Sequence, residues 1–178
     1  DVAALRVLRA RDGVFACDGN HEYYSGHAAW MRAFKALGLP LLHNAHTVVR
    51  IKGKQLVLAG VNDPAADRFG MEGPDLEKAL AGAPAEAPVI LLAHQPRYAR
   101  FNAERGVDLQ LSGHTHGGQM IGFDRIVASH NEGFVRGLYT VGSMKLYVCP
   151  GAGLWTGFPV RIGVPAEIAR IVLRSGKK

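Results

Sequence analysis

Apolar positions along the chain fall into two patterns. Spacing of three or four residues marks Val2, Leu5 and Leu8 within residues 2–11, and Trp30, Ala33, Phe34 and Leu37 after Ser25, which predicts two helices. Ser25 is placed to cap the second and Gly38 and Pro40 to stop it, with its apolar stripe expected to face the core. Shorter runs predict strands: "VFAC" leading to Asp18, "HTVVRI" and "QLVLAG" joined as a hairpin through Lys52-Gly53-Lys54, and "VILLA" at 89–93. The last has no polar alternation, as expected of a strand buried on both faces. Pro74 and Gly82 bracket a short helix around Leu76, Ala79 and Leu80. Val107–Leu111 predicts another strand, "GLYTVGSMKLYVC" a hairpin about Gly142-Ser143, and "EIARIVLR" a closing strand.

Polar, metal-capable residues recur where these runs finish. Asn20 and His21 follow "VFAC", His94 follows "VILLA", and His114 and His116 follow Leu111 in "LSGHTHGGQ". In open α/β sheets ligand sites collect beyond the carboxyl ends of strands, where neighbouring loops converge. Imidazole suits Zn, Fe and Mn, and an Asn carbonyl is a hard neutral oxygen donor, a mixture that fits a divalent hydrolytic metal better than a structural zinc site. In a glycine-flanked loop, residues i and i+2 can diverge, so His114 and His116 can serve two neighbouring ions.

Composition narrows the picture without deciding it. The 178 residues, 48% hydrophobic and 20% charged, suffice for one domain with a sizeable core. No apolar stretch reaches the roughly 18 residues of a membrane span, and the N-terminus shows no signal-peptide pattern, so the chain reads as a soluble piece whose compartment is open. The formal charge of +6 favours anionic partners, but its lysines and arginines are scattered, with no basic stripe and interleaved aromatics to mark a specific nucleic-acid binder. Two cysteines, Cys17 and Cys149, are too few for a disulfide framework and are expected to pack as small hydrophobes.

"GNHEYYSG", "LLAHQP" and "LQLSGHTHGGQ", in that order, resemble three motifs of the calcineurin-like metallophosphoesterases, and "LYVCPGAGLWTGFPVRIGVPAEI" is similar to the C-terminal signature of a bacterial, often membrane-associated branch. The resemblance implies an α/β fold with a two-sheet β-sandwich flanked by helices. It implies that Asn20, His94 and His114 bind one metal ion and His116 a second, while His21 stabilises the phosphoryl oxygens and protonates the leaving group. Two divalent ions (Mn, Zn or Fe) roughly 3.5–4 Å apart would then activate a water and clamp the phosphate of a phosphodiester or pyrophosphate. The implied substrates are a phosphorylated small molecule or a lipid headgroup, and the branch implies peripheral membrane association.

The family's D-x-H and G-D-x-x-D motifs, the latter supplying the carboxylate that bridges the metals, do not occur before "GNH". Residues 1–178 are therefore expected to be the C-terminal part of a phosphoesterase domain lacking its first β-α-β unit. One ion or none is expected in this chain, with impaired activity and self-association through an unpaired sheet edge. A non-catalytic scaffold for protein partners on the same fold is the alternative. His27, His43, His46 and His130 lie off the motifs and are expected in surface or core roles. Tyr23 and Tyr24 could wall the cleft or join the core, and Asn62 and Asp63 could face the site or begin a turn. Glu22 is expected to orient its neighbours by hydrogen bonding.

Overall fold

A computed structural model of the chain describes residues 2–155 and 159–174. Six strands, β1 (Ala45–Ile51), β2 (Lys54–Gly60), β3 (Val89–Leu92), β4 (Leu109–Ser112), β5 (Gly137–Val141) and β6 (Met144–Val148), form one sheet in the order β1-β2-β3-β4-β6-β5. The four central strands run parallel, and each edge strand pairs antiparallel with its neighbour. Five helices flank the sheet: α1 (Asn20–Tyr24), α2 (His27–Ala36), α3 (Leu76–Leu80), α4 (Ala99–Ala103) and α5 (Asp124–His130). The α/β class holds. Where the resemblance implies two sheets, the strands of the described residues make one.

The first hairpin turns on Lys52 and Gly53, at φ of 50° and 78°. Two successive left-handed residues give a turn whose twist matches the strands it joins, and glycine takes the second position without steric cost. Asp75 starts α3 by accepting from the Lys78 N–H at 2.8 Å.

Register divides the sheet into two unlike faces. Val57, Ala59, Val89, Leu91, Gln110, Ser112, Leu146 and Val148 lie on one, all buried, and Leu76 and Ala79 of α3 and Ala99 of α4 join their cluster. Gln110 is fully buried there because it is satisfied: it accepts from Asn102 Nδ2 at 2.9 Å and donates to Ser112 Oγ at 3.0 Å. The opposite face carries Leu58, Leu92, Leu109, Leu111 and Tyr147, each half-buried, beside Ile90, which is buried.

Several predicted elements differ. "VFAC" makes only an isolated bridge, Ala16 to Leu41, and residues 2–11 contain a five-residue 3-10 helix, Ala3–Val7, with nothing buried. The cap before α2 is Gly26 rather than Ser25, whose hydroxyl instead donates to the His21 carbonyl. No residue of α2 is buried, so its stripe is not core: Trp30 and Phe34 stack on each other at 5.6 Å. "EIARIVLR", residues 167–174, forms no strand, because among the described residues it finds no ladder partner. Glu167 alone anchors it, accepting from the Tyr147 hydroxyl, while Ile168 is 91% exposed. Both cysteines are unpaired, and burial pushes the Cys17 thiol up to about 12, which makes it inert.

This division of burial sets a stability contrast. Leu146→Ala should cost about 2–5 kcal/mol by opening a cavity in the covered face, whereas Phe34→Ala should cost about 1 kcal/mol or less. Urea unfolding of the two variants measures it, and equal losses would contradict the placement of α2.

Candidate metal centre

The four parallel strands all finish on one edge, and the loops leaving them build the site. β3 is followed by Ala93 and His94, and β4 by Gly113, His114, Thr115 and His116. The two loops are tied by the Gly113 N–H, which donates to the His94 carbonyl at 2.9 Å. Asn20 opens α1, whose start is fixed by Glu22 accepting from the Gly19 N–H at 2.7 Å, the orienting bond expected of it. Gly19 is required by space: a Cβ there would lie 2.8 Å from His94 Cδ2.

Asn20, His94 and His114 meet. Asn20 Oδ1 lies 3.1 Å from His94 Nε2 and 3.1 Å from His114 Nδ1, and the two rings stand 5.3 Å apart, edge to face. Burial, reinforced by the neighbouring His114, holds His94 down to about 3. Burial and His116 hold His114 down to about 4. Near neutral pH both rings are therefore uncharged lone-pair donors, the state a metal ligand needs.

His116 borders the same cavity and is oriented by the tail. Its Nδ1 lies 3.1 Å from the Gly153 carbonyl, a contact in which Nδ1 must be the donor, so Nε2 keeps its lone pair. Arg161 locks the arrangement by donating to the carbonyls of His116 at 3.2 Å and Gly153 at 2.6 Å. Thr115, fully buried, donates to the Val135 carbonyl at 2.6 Å and accepts from the Gly117 N–H. His114 and His116 adopt φ of 66° and 49°. Such left-handed residues cost about 1–3 kcal/mol each and persist where surrounding bonds impose them, as these do.

His21 is exposed on α1 and lines, with Asn20, His94, His114, His116 and Trp155, a cavity of about 300 Å³. A larger cavity, about 480 Å³, opens beyond His94 and is bordered by Asn62, Arg97, Tyr98 and Phe101.

Residues 2–118 match the family model described as calcineurin-like phosphoesterase. The chain belongs to that family. It is 38% identical over 186 residues to a Bos taurus protein named "Transmembrane protein with metallophosphoesterase domain", an alignment covering 98% of this chain and 41% of that protein. It is 39% identical over 171 residues to an uncharacterized metallophosphoesterase of Helicobacter pylori, covering 95% and 45%. A Bacillus subtilis metallophosphoesterase is 31% identical over 179 residues, covering 98% and 60%. The chain thus spans less than half the length of the first two relatives. No solved structure matches it. Relatives in animals as well as bacteria broaden the branch beyond the bacterial one named by the tail. The family supports metal-dependent phosphoester hydrolysis as the general chemistry.

The donor set fits a divalent ion, since two neutral imidazoles and one amide oxygen converge. Other candidates divide. Tyr23 is core, while Tyr24 is exposed with its ring 5.7 Å from His21. Asp63 starts a 3-10 helix by accepting from the Ala65 N–H and also accepts from Gln95, and burial pushes it up to about 6. His46 ties β1 to the Ala79 carbonyl, and His130 reaches the cavity rim from α5. His27 and His43 pack against buried Asp18 instead. Thr115 and Arg161 were not singled out by residue pattern. An arginine within a proline- and glycine-rich apolar tail was the available signal for the second.

The depressed histidines set a pH dependence. Because the folded values lie below the ordinary 6.5, the unfolded chain takes up these protons first. Their contribution to stability is complete above about pH 6.5 and is lost as pH falls toward about 4 and 3. NMR of the metal-free protein should show the His94 and His114 ring signals unmoved between about pH 8 and 5. Midpoints near 6.5 would contradict the buried, neutral cluster.

Proposed function

We propose that this chain supplies the histidine side of a dinuclear metal centre that hydrolyses a phosphodiester or pyrophosphate bond. The observation that carries the reading is the meeting of Asn20 Oδ1, His94 Nε2 and His114 Nδ1 beside a cavity that also holds His21 and His116. Asn20, His94 and His114 would hold one divalent ion and His116 the other, drawn from Mn, Zn or Fe. Bound ions supply Lewis-acid activation of water and neutralise charge at phosphorus.

The chain's own groups do the rest. His21, exposed at the cavity, hydrogen-bonds a phosphoryl oxygen and gives its proton to the leaving oxygen. Arg161 and Thr115 hold the His114–His116 loop in its strained form, so the ligands need not reorganise during the reaction. Arg97, on the wall of the larger cavity and close enough to depress His114, supplies a positive charge to attract a substrate phosphate. Tyr98 and Phe101 offer apolar surface to the body of a phosphorylated small molecule or a lipid headgroup.

Among the described residues no helix is long and apolar enough to cross a membrane. The Bos taurus relative's name supports membrane association of a longer protein containing this chain. The sequence holds no G-D-x-x-D carboxylate, so at this site the 178 residues alone are proposed to bind at most one ion weakly, to turn over little, and to self-associate through a sheet edge.

Hydrolysis of an aryl phosphodiester with added Mn²⁺ or Zn²⁺ tests this. It is measured on the 178-residue chain and on the same chain joined behind a family segment bearing both missing motifs. Chelator-sensitive turnover is expected only in the second, and His21→Ala should lower it by about 10²–10⁴ with metal content unchanged. Metal loss in His21→Ala would reassign that residue, and brisk turnover by the 178 residues alone would refute the need for the bridging carboxylate.

A further inference from the structure

A second cluster of donors lies outside the centre described above. Asp18, His27 and His43 bring three ligand-type atoms within 4.8 Å of one another. His27 Nε2 is 3.3 Å and His43 Nδ1 3.4 Å from the same atom, Asp18 Oδ2. Nothing in their spacing of nine and sixteen residues marks them as a set.

The contacts at Asp18 Oδ2 are poorly explained as hydrogen bonds alone. That oxygen already accepts a short bond, 2.6 Å, from the Tyr23 hydroxyl. A carboxylate oxygen offers two lone-pair sites, yet three groups converge on this one. The imidazole separations also exceed the about 2.7–2.9 Å of a charge-assisted bond. His43 Nδ1 is shared further, lying 3.3 Å from Asn62 Oδ1. A tetrahedral zinc ion with bonds of about 2.0–2.1 Å holds its ligand atoms about 3.3–3.4 Å apart, the separation of each imidazole from Asp18 Oδ2 here. Tyr23 would then keep one lone pair of Oδ2 and the ion would take the other.

The surroundings are those of oriented ligands. The Asp63 N–H donates to Asp18 Oδ1 at 2.9 Å, and the Tyr23 ring stacks on His27 at 4.4 Å. Partners of this kind fix carboxylate and imidazole ligands in metal sites. Side-chain exposure rises from 0% at Asp18 through 14% at His27 to 35% at His43, which leaves an approach from solvent.

We propose that Asp18, His27 and His43 form a second, structural metal site for one divalent cation of the zinc class. The ion clips α2 and the His43 segment to Asp18 just ahead of α1, the helix that carries Asn20 and His21. Such a clip answers a need of the fold, because α2 buries no side chain and has little apolar packing to hold it.

The test separates this site from the one formed by Asn20, His94 and His114. Zn²⁺ stoichiometry is measured by elemental analysis at equilibrium with excess free Zn²⁺, so that a weak site is also filled, and coordination by the visible spectrum of the Co²⁺-substituted protein. The His94→Ala/His114→Ala chain should keep one Zn²⁺ and a tetrahedral Co²⁺ spectrum, and added Zn²⁺ should raise its Tm. The His27→Gln/His43→Gln chain should bind one ion fewer than the wild type while retaining the ion at Asn20, His94 and His114. If the first double variant does not fold, the comparison of wild type with the second still decides. Equal stoichiometry in those two, or a first variant that folds without binding metal, would overturn the proposal.

Discussion

One backbone hydrogen bond keeps the two histidine loops in step: the Gly113 N–H donating to the His94 carbonyl. It continues the parallel pairing of β3 and β4 two residues past the end of the ladder, in which Leu92 faces Leu111. A slip of one residue would send every side chain of a strand to the opposite face and carry His94 away from His114. The covered face enforces the register, since Leu91 and Gln110 must both be buried on the same side. The geometry of the site is thus set by packing several residues away from it.

What the register brings together, burial then conditions. Removing His94 and His114 from water lowers their proton affinity, so two imidazoles sit near each other without carrying charge. The same arrangement in solvent would hold protons near pH 6.5 and repel a dication. Backbone strain at His114 and His116 is sustained by Thr115 from below and by Arg161 from the tail. The C-terminal segment therefore contributes to the site despite forming no strand.

Much of this was legible in the residues. "VILLA" and "GLYTVGSMKLYVC" read correctly because strong local patterns coincide with the burial that tertiary structure imposes. Asn20, His94 and His114 could be grouped because each follows an apolar run, and strand ends in a parallel sheet converge. The failures share one cause. "VFAC" gains only the Ala16–Leu41 bridge, and the stripe on α2 and "EIARIVLR" find little partner surface; pattern reports what a segment could bury rather than what lies against it. The Asp18, His27 and His43 cluster was invisible for the reverse reason: its members meet through the path of α2 and the following loop, with no local signature.

The central claim is that Asn20, His94 and His114 form a metal site. Anomalous diffraction from a crystal of the protein soaked in Zn²⁺ addresses it most directly. The account predicts a peak within about 2.0–2.2 Å of Asn20 Oδ1, His94 Nε2 and His114 Nδ1 together. A fully soaked crystal with zinc bound elsewhere and no peak among those three atoms would contradict it.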